Sequence, residues 1–142
     1  MTNRLLLDVN VLLALGCDAH VHHDAAHARF SEVSAWSTTP ITELGFVRLM
    51  LTEAVIGRSV RPADALDQLR AFRAVEGWSW ISDDMSPTVW PSVRGVLRGR
   101  RQVTDLQLVA IAAANGCRVA TFDEGIKQML PPQERHLVEV WR

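Results

Sequence analysis

The stretch Leu5-Leu6-Leu7-Asp8-Val9-Asn10 indicates the fold class of this 142-residue chain. Three consecutive leucines without polar alternation are typical of a short strand that is buried on both faces of a parallel sheet. Residues 9–16 then have the spacing of a helix, with Gly16 as its stop. Asp8 lies where the strand ends. An acid that loses water there needs a partner or a cation, so its position suggests a function as well as a fold.

The alternation of strand and helix continues along the chain. Thr39 and Pro40 are a good N-cap and first helical residue, and Thr104 is predicted to cap a helix that is apolar almost all round. Alternation of this kind predicts an α/β fold with helices on both faces of a parallel sheet of about five short strands, in a single domain over residues 1–142. Further strands are predicted at 35–38, 78–81, 118–122 and 137–141, and helices at 23–33, 40–50, from 62 onward, 86–97 and 104–114.

The composition is that of an ordinary globular domain, with 48% hydrophobic and 22% charged residues. The net charge of −1 argues against a broadly basic nucleic-acid binder, although a local basic patch remains compatible with it. The chain lacks an apolar stretch of the roughly 18 to 20 residues that span a bilayer, and its N-terminus is too short for a signal peptide. We therefore expect a cytosolic protein with no membrane association, in which Cys17 and Cys117 are reduced.

Four carboxylates follow predicted strands or open predicted helices. Because the carboxyl ends of parallel strands meet at one edge of the sheet, these acids are expected to lie close together there. Glu43 and Asp105 taken singly also suit the first turn of a helix, where the helix dipole favours an acid. The combination favours a hard divalent cation, Mg²⁺ or Mn²⁺, because such ions bind carboxylate oxygen. The four are Asp8, Glu43, Asp105 and Asp123.

The sequence resembles the PIN-domain family, in particular the VapC-type toxins of bacterial toxin–antitoxin pairs. The likeness is carried by Leu5-Leu6-Leu7-Asp8-Val9-Asn10, Thr39-Pro40-Ile41-Thr42-Glu43, Thr104-Asp105-Leu106-Gln107-Leu108-Val109-Ala110 and Val119-Ala120-Thr121-Phe122-Asp123, which extend over nearly the whole chain. Gln107 departs from the pattern, since family members often have an aromatic residue there.

The resemblance implies a metal-dependent endoribonuclease that uses Mg²⁺, with Mn²⁺ as the alternative. It implies catalytic roles for Asp8, Glu43, Asp105 and Asp123, of which the three aspartates bind the metal, and supporting roles for Asn10 and Thr121. It further implies an RNA substrate, a cognate VapB-type antitoxin and a homodimer. A housekeeping RNA-processing nuclease, a DNA nuclease and an inactive PIN binding module are the alternatives. A haloacid-dehalogenase reading is disfavoured because Asn10 stands where that family has a second Asp, and a receiver-domain reading because Lys127 is badly placed.

Three further groups of residues have two interpretations each. Four histidines, together with Cys17, suggest a zinc site or, more simply, an exposed loop that leads into a helix. The arginines before Asp105 suit RNA phosphates or a solvated helix end. Trp36, Trp78 and Trp80 are predicted in the core, whereas Trp90 and Trp141 are candidates for a partner surface. The histidines are His20, His22, His23 and His27, and the arginines are Arg94, Arg98, Arg100 and Arg101.

Overall fold

The computed structural model describes residues 3–90 and 95–142, and within them five short strands form one parallel sheet. The strand order β3-β2-β1-β4-β5 puts β1 at the centre. The predicted α/β class is confirmed. The strands are β1 (Leu5–Leu7), β2 (Trp36–Thr38), β3 (Trp78–Trp80), β4 (Arg118–Thr121) and β5 (Val138–Val140).

Seven α-helices lie between these strands in the described residues. The fourth and the seventh were not predicted. The helix predicted at 23–33 ends at Phe30, and the one predicted to begin at Thr104 begins at Val103, after a 3-10 turn at Arg100–Gln102. The helices are α1 (Val9–Gly16), α2 (His23–Phe30), α3 (Pro40–Met50), α4 (Glu53–Ile56), α5 (Pro62–Arg73), α6 (Val103–Ala114) and α7 (Glu124–Met129).

The sheet separates two hydrophobic clusters, as a parallel sheet covered on both faces must. Leu6 packs into one cluster together with α6 and α7, whereas Leu5 and Leu7 pack into the other with α1 and α3. Successive strand residues point to opposite faces, so three adjacent leucines serve both clusters. All three side chains are almost fully buried. The continuous apolar run of β1 is therefore explained by burial on both sides.

The tryptophan predictions are only partly correct. Trp36 is buried as predicted, but Trp80 is 44% exposed because β3 is an edge strand. Trp90 and Trp141, the candidates for a partner surface, are 4% and 1% exposed and belong to the two clusters. Burial of an indole is favourable when its N–H has a partner. Each of these two finds one, since Trp90 donates to Gln107 and Trp141 to Glu139.

Two helix predictions need correction. The helix predicted at 86–97 begins instead as a 3-10 turn, Pro87–Val89, and residues 91–94, including Arg94, lie outside the described part of the chain. The spacing of Leu66, Leu69 and Phe72 predicts that these side chains of the helix beginning at Pro62 face the core, but in α5 Leu66 is 52% exposed, and Ala65 is the fully buried residue.

Local turns position the strands that matter for the site. Thr39 occupies the N-cap of α3 as predicted, but the Thr42 hydroxyl closes the turn by accepting from the Thr39 N–H at 3.1 Å. Gly77 precedes β3 with φ +93°, and a Cβ there would meet the Ser34 carbonyl oxygen, so the turn requires glycine.

Cys17 and Cys117 are free thiols. In the part of the chain that the structure describes, the helices are too short or too polar to cross a membrane.

Candidate active site

Asp8 lies at the carboxyl end of the central strand and is the most buried of the four acids. It is the N-cap of α1, where Oδ1 accepts the Val9 N–H at 2.7 Å, while Oδ2 accepts the Thr121 hydroxyl at 2.8 Å. Burial raises the pKa of Asp8 above its ordinary value, and the charge of Asp123 adds to the rise, although the two hydrogen bonds oppose it. The structure thus holds this carboxylate in one orientation.

Thr121 and Asn10 connect the ends of β1 and β4. The Asn10 amide donates to Thr121 Oγ1 at 3.0 Å, and its Oδ1 accepts the Phe122 N–H at 3.1 Å. Thr121 Oγ1 also accepts the Asp123 N–H at 3.0 Å. Because the Thr121 hydroxyl donates to Asp8, Asn10 orients this acid through Thr121. Asn10 thus bonds both a backbone group and the network around the acids.

Asp105 and Asp123 complete a group of three aspartates. Asp105 lies in the first turn of α6, and Asp123 is the N-cap of α7, where its Oδ1 accepts the Gly125 N–H at 2.8 Å. Burial, followed by the charges of Asp8 and Asp123, raises the pKa of Asp105 from 3.8 to about 6. Like charges on neighbouring carboxylates disfavour ionisation. The three aspartates are therefore within electrostatic reach of one another.

Glu43 lies in the first turn of α3, which follows β2, and has partners of its own. Its Oε2 accepts the Thr38 hydroxyl at 2.5 Å, and the Arg73 Nε lies 3.8 Å from the same oxygen. Thr38 Oγ1 in turn accepts the Trp78 indole N–H at 2.9 Å. The Glu43 side chain is only 12% exposed. Glu43 is thus held by β2, β3 and the end of α5.

A metal ion is compatible with this donor set by its chemistry. The three aspartates offer oxygen ligands, and a cation among them would offset the burial and the like charges that together raise the pKa of Asp105. Within residues 3–90 and 95–142, however, no three His, Cys, Asp or Glu side chains are grouped closely enough to hold an ion as they stand. Binding would therefore have to draw the carboxylates together. The residues available for it are Asp8, Asp105 and Asp123.

The four histidines have structural partners that account for most of them. The His23 and His27 rings donate to the carbonyl oxygens of Ala14 and Leu15 at 2.7 and 2.9 Å, which satisfies the last turn of α1. His22 stacks on Phe122, with ring centroids 4.4 Å apart. The described residues contain no metal-binding group in this region either. These hydrogen bonds to the end of α1 explain His23 and His27 better than a zinc site does.

The arginine run and Gln107 shape the segment that leads into α6. Arg98, Arg100 and Arg101 are exposed, and the Arg98 guanidinium donates to the Gly95 carbonyl oxygen at 2.9 Å. Gln107 donates to Asp83 at 2.8 Å and accepts from Trp90 at 2.6 Å. The departure from the family pattern at Gln107 is thus part of a polar network that anchors the loop after β3.

Sequence reasoning missed Arg73 and misjudged Trp80. The Arg73 guanidinium carbon lies 4.3 Å from the Trp78 ring centroid and 5.2 Å from that of Trp80, a cation–π arrangement beside Glu43. The Trp78-Ser79-Trp80 alternation does indicate that both rings share one face of the sheet. The position of β3 at the sheet edge, which decides exposure, is a tertiary property.

Comparison with known proteins bears on this site. A family model described as PIN domain matches residues 5–129. Ribonuclease VapC39 of Mycobacterium tuberculosis is 44% identical over 125 residues, which cover 85% of this chain and 89% of that protein. Ribonuclease VapC38 of the same organism is 39% identical over 137 residues, which cover 95% and 96%.

The solved structures include a similar fold. The crystal structure of VapBC2 from Rickettsia felis bound to a DNA fragment from their promoter gives a TM-score of 0.63 at 15% identity, covering 98% of this chain and 99% of that one. This likeness concerns the fold alone.

The chain therefore belongs to the PIN-domain family. Its 44% and 39% identical relatives place it in the VapC branch of that family, as the sequence resemblance indicated.

Proposed function

We propose that this chain is an endoribonuclease that acts as the toxin of a toxin–antitoxin pair, with Mg²⁺ or Mn²⁺ as its cofactor and the cytoplasm as its place of action. The observation that carries the proposal is that Asp8 and Asp123 follow the adjacent strands β1 and β4, close enough to Asp105 that their charges add to the effect of burial in raising its pKa to about 6. Such a cluster destabilises the empty site and is typical of sites that bind cations. Relatives named Ribonuclease VapC support RNA as the substrate.

The residues of the site divide into groups that bind and groups that orient. Asp8, Asp105 and Asp123 would hold the metal ion, and Glu43 would contact the substrate or the attacking water. A bound divalent ion would lower the pKa of water and stabilise negative charge on the phosphate. Thr121 restricts Asp8 to one rotamer through its 2.8 Å hydrogen bond. Asn10 restricts Thr121 and the Phe122 backbone in turn.

The experiment that tests this function is RNA cleavage by the purified chain. We expect new internal 5′ ends, mapped by sequencing, in Mg²⁺ or Mn²⁺, and their loss after chelation, because the carboxylates need a cation to act. Single-stranded DNA of the same sequence is the control that separates a ribonuclease from a DNA nuclease. An intact RNA pool in both metals would contradict the proposal and leave a binding module as the better interpretation.

A partner protein and self-association are a further prediction of this function. We propose a VapB-type antitoxin and a homodimer, for which exposed apolar side chains on α3 and α4, Leu44 at 63% and Val55 at 53%, supply surface. Co-expression with a candidate VapB-type antitoxin should yield a complex that does not cleave RNA, and the free chain should have twice the monomer mass by light scattering. A complex with undiminished cleavage would disprove the inhibition, and a monomeric mass would disprove the dimer.

A further inference from the structure

An exposed tryptophan, Trp80, lies at the carboxyl ends of the strands, where the acids also lie. Leu6, Ser37 and Ser79 are register partners across β1, β2 and β3, so Trp80 stands one residue beyond this row and Asp8 two. Two strand spacings, about 10 Å, separate the ends of β3 and β1. The carboxyl ends of β3 and β1 are therefore about one or two nucleotide lengths apart. Trp80 is 44% exposed on this edge strand, so a large part of its ring is accessible to a ligand.

Arg73 joins this tryptophan to the site. Its guanidinium lies against the rings of both Trp78 and Trp80 and 3.8 Å from Glu43 Oε2. The indole N–H of Trp78 is used by Thr38, which also donates to Glu43. The aromatic pair and the acid are thus parts of one hydrogen-bonded and ion-paired unit. A ligand that binds the tryptophans would therefore lie beside Glu43.

A shallow pocket continues from this unit along α5. It has a volume of about 480 Å³ and combines two cations with apolar surface. Single-stranded nucleic acid is recognised by aromatic and guanidinium planes on which bases stack and by cations that take the phosphates. Arg70 lies 3.4 Å from the Asp67 carboxylate and Arg73 lies 3.8 Å from Glu43, and both arginine side chains, 82% and 44% exposed, keep surface that a phosphate can contact. The lining residues are Leu66, Leu69, Arg70, Arg73, Ala74 and Trp78.

We infer that Arg73, Trp78 and Trp80 form a binding subsite for a nucleotide that flanks the scissile bond in single-stranded RNA. The base stacks on the exposed surface of Trp80 and the Arg73 guanidinium, and Arg70 at the pocket faces the phosphate. The inference rests on the proposed RNA substrate and adds a position at which the enzyme contacts it. Stacking tolerates every base, so the subsite positions the strand more than it reads sequence.

The test measures RNA binding in chelator, where cleavage cannot interfere. Fluorescence anisotropy of a labelled single-stranded oligoribonucleotide should give a Kd about tenfold or more higher for Trp80→Leu than for the parent, since leucine keeps the apolar surface and loses the stacking plane. Trp80→Phe should bind within about threefold of the parent. Arg73→Lys keeps the charge but loses the plane, and should also weaken binding. Leu51→Ala, which alters a side chain of nearly equal exposure (43%) beyond the far end of α3, is the matched control and should have no effect.

An abasic scan distinguishes stacking from a general loss of structure. Removal of a single base should weaken binding to the parent at one position near the scissile phosphate, and the same removal should have no further effect on Trp80→Leu. Equal Kd values for Trp80→Leu and the parent would overturn the subsite. The same conclusion would follow if removal of each base weakened binding to Trp80→Leu as much as it weakens binding to the parent. Loss of a co-purified partner protein with unchanged RNA binding would identify the surface as a protein-docking site and would also overturn it.

The outcomes for the subsite and for the proposed function are separable. A parent chain that binds RNA through Trp80 but never cleaves it would refute the nuclease and leave the subsite. Cleavage that is independent of Trp80 would refute the subsite alone. A parent chain that binds no RNA would refute both.

Discussion

Asp105→Asn is expected to lower RNA cleavage by about 100-fold or more, because loss of a metal ligand should cost at least as much as loss of a residue that only orients one. Asp8→Asn should have a similar effect on cleavage. The two variants differ in what they do to the fold. Asp8 accepts hydrogen bonds on both oxygens, and asparagine would place an NH₂ where one acceptor was. Asp105→Asn is therefore the cleaner variant, and a discontinuous assay at equal protein concentration is sufficient to measure it.

Thermal unfolding provides the control for Asp105→Asn. Without metal, the variant should melt at or above the temperature of the parent, because it removes a charge that burial and then the charges of Asp8 and Asp123 disfavour. Millimolar Mn²⁺ should raise the melting temperature of the parent, because binding at roughly tenfold excess over Kd adds about 1.4 kcal/mol to its free energy of unfolding. The melting temperature of the variant should rise far less. Asp64→Asn, an exposed carboxylate paired with Arg61 on α5, should behave as the parent does. Equal Mn²⁺ shifts in the parent and Asp105→Asn would show that the ion binds elsewhere.

Cleavage should also fall steeply in mild acid. The pKa of Asp105 is raised to about 6, and a protonated carboxyl cannot bind the cation, so at metal concentrations below Kd the rate should fall about tenfold per pH unit below that value. A pH–rate profile of kcat/KM at fixed low Mn²⁺ measures this. Saturating Mn²⁺ should move the midpoint to lower pH, because the metal competes with the proton. A rate that stays constant from pH 7 to pH 5 at low metal would contradict the assignment of Asp105.

The same raised pKa also affects how the stability of the metal-free protein depends on pH. The direction of this dependence is opposite to that for an acid whose pKa is lowered by a salt bridge. Because the folded-state pKa lies above the unfolded value of 3.8, the folded chain binds more protons between these pH values. The stabilisation from Asp105 is present below the unfolded pKa and is lost as pH rises through about 6. Asp105→Asn should lack this part of the pH dependence of the melting temperature, and identical slopes in both proteins would argue against it.

The sequence was sufficient for the fold class, and it predicted a grouping of acids, because both depend on local patterns. A run of leucines without alternation implies a strand buried on both faces, and an acid at its end implies a position at the carboxyl edge of the sheet. The structure places Asp8, Asp105 and Asp123 within electrostatic reach and connects Asn10 to Asp8 through Thr121. The sequence did not separate Glu43 from the aspartates, since its Arg73 partner lies thirty residues further along the chain, on another helix.

Exposure was the property that local pattern could not supply. Trp36 and Trp80 both lie on short strands of similar composition, yet one is buried and the other is at the sheet edge, because strand order is set by packing between distant segments. Trp141 follows the other edge strand and is nevertheless buried, since it packs against Phe122 with ring centroids 6.1 Å apart. Period and residue type describe which face of an element is apolar. Which neighbour covers that face, and whether any does, is decided only when the elements assemble.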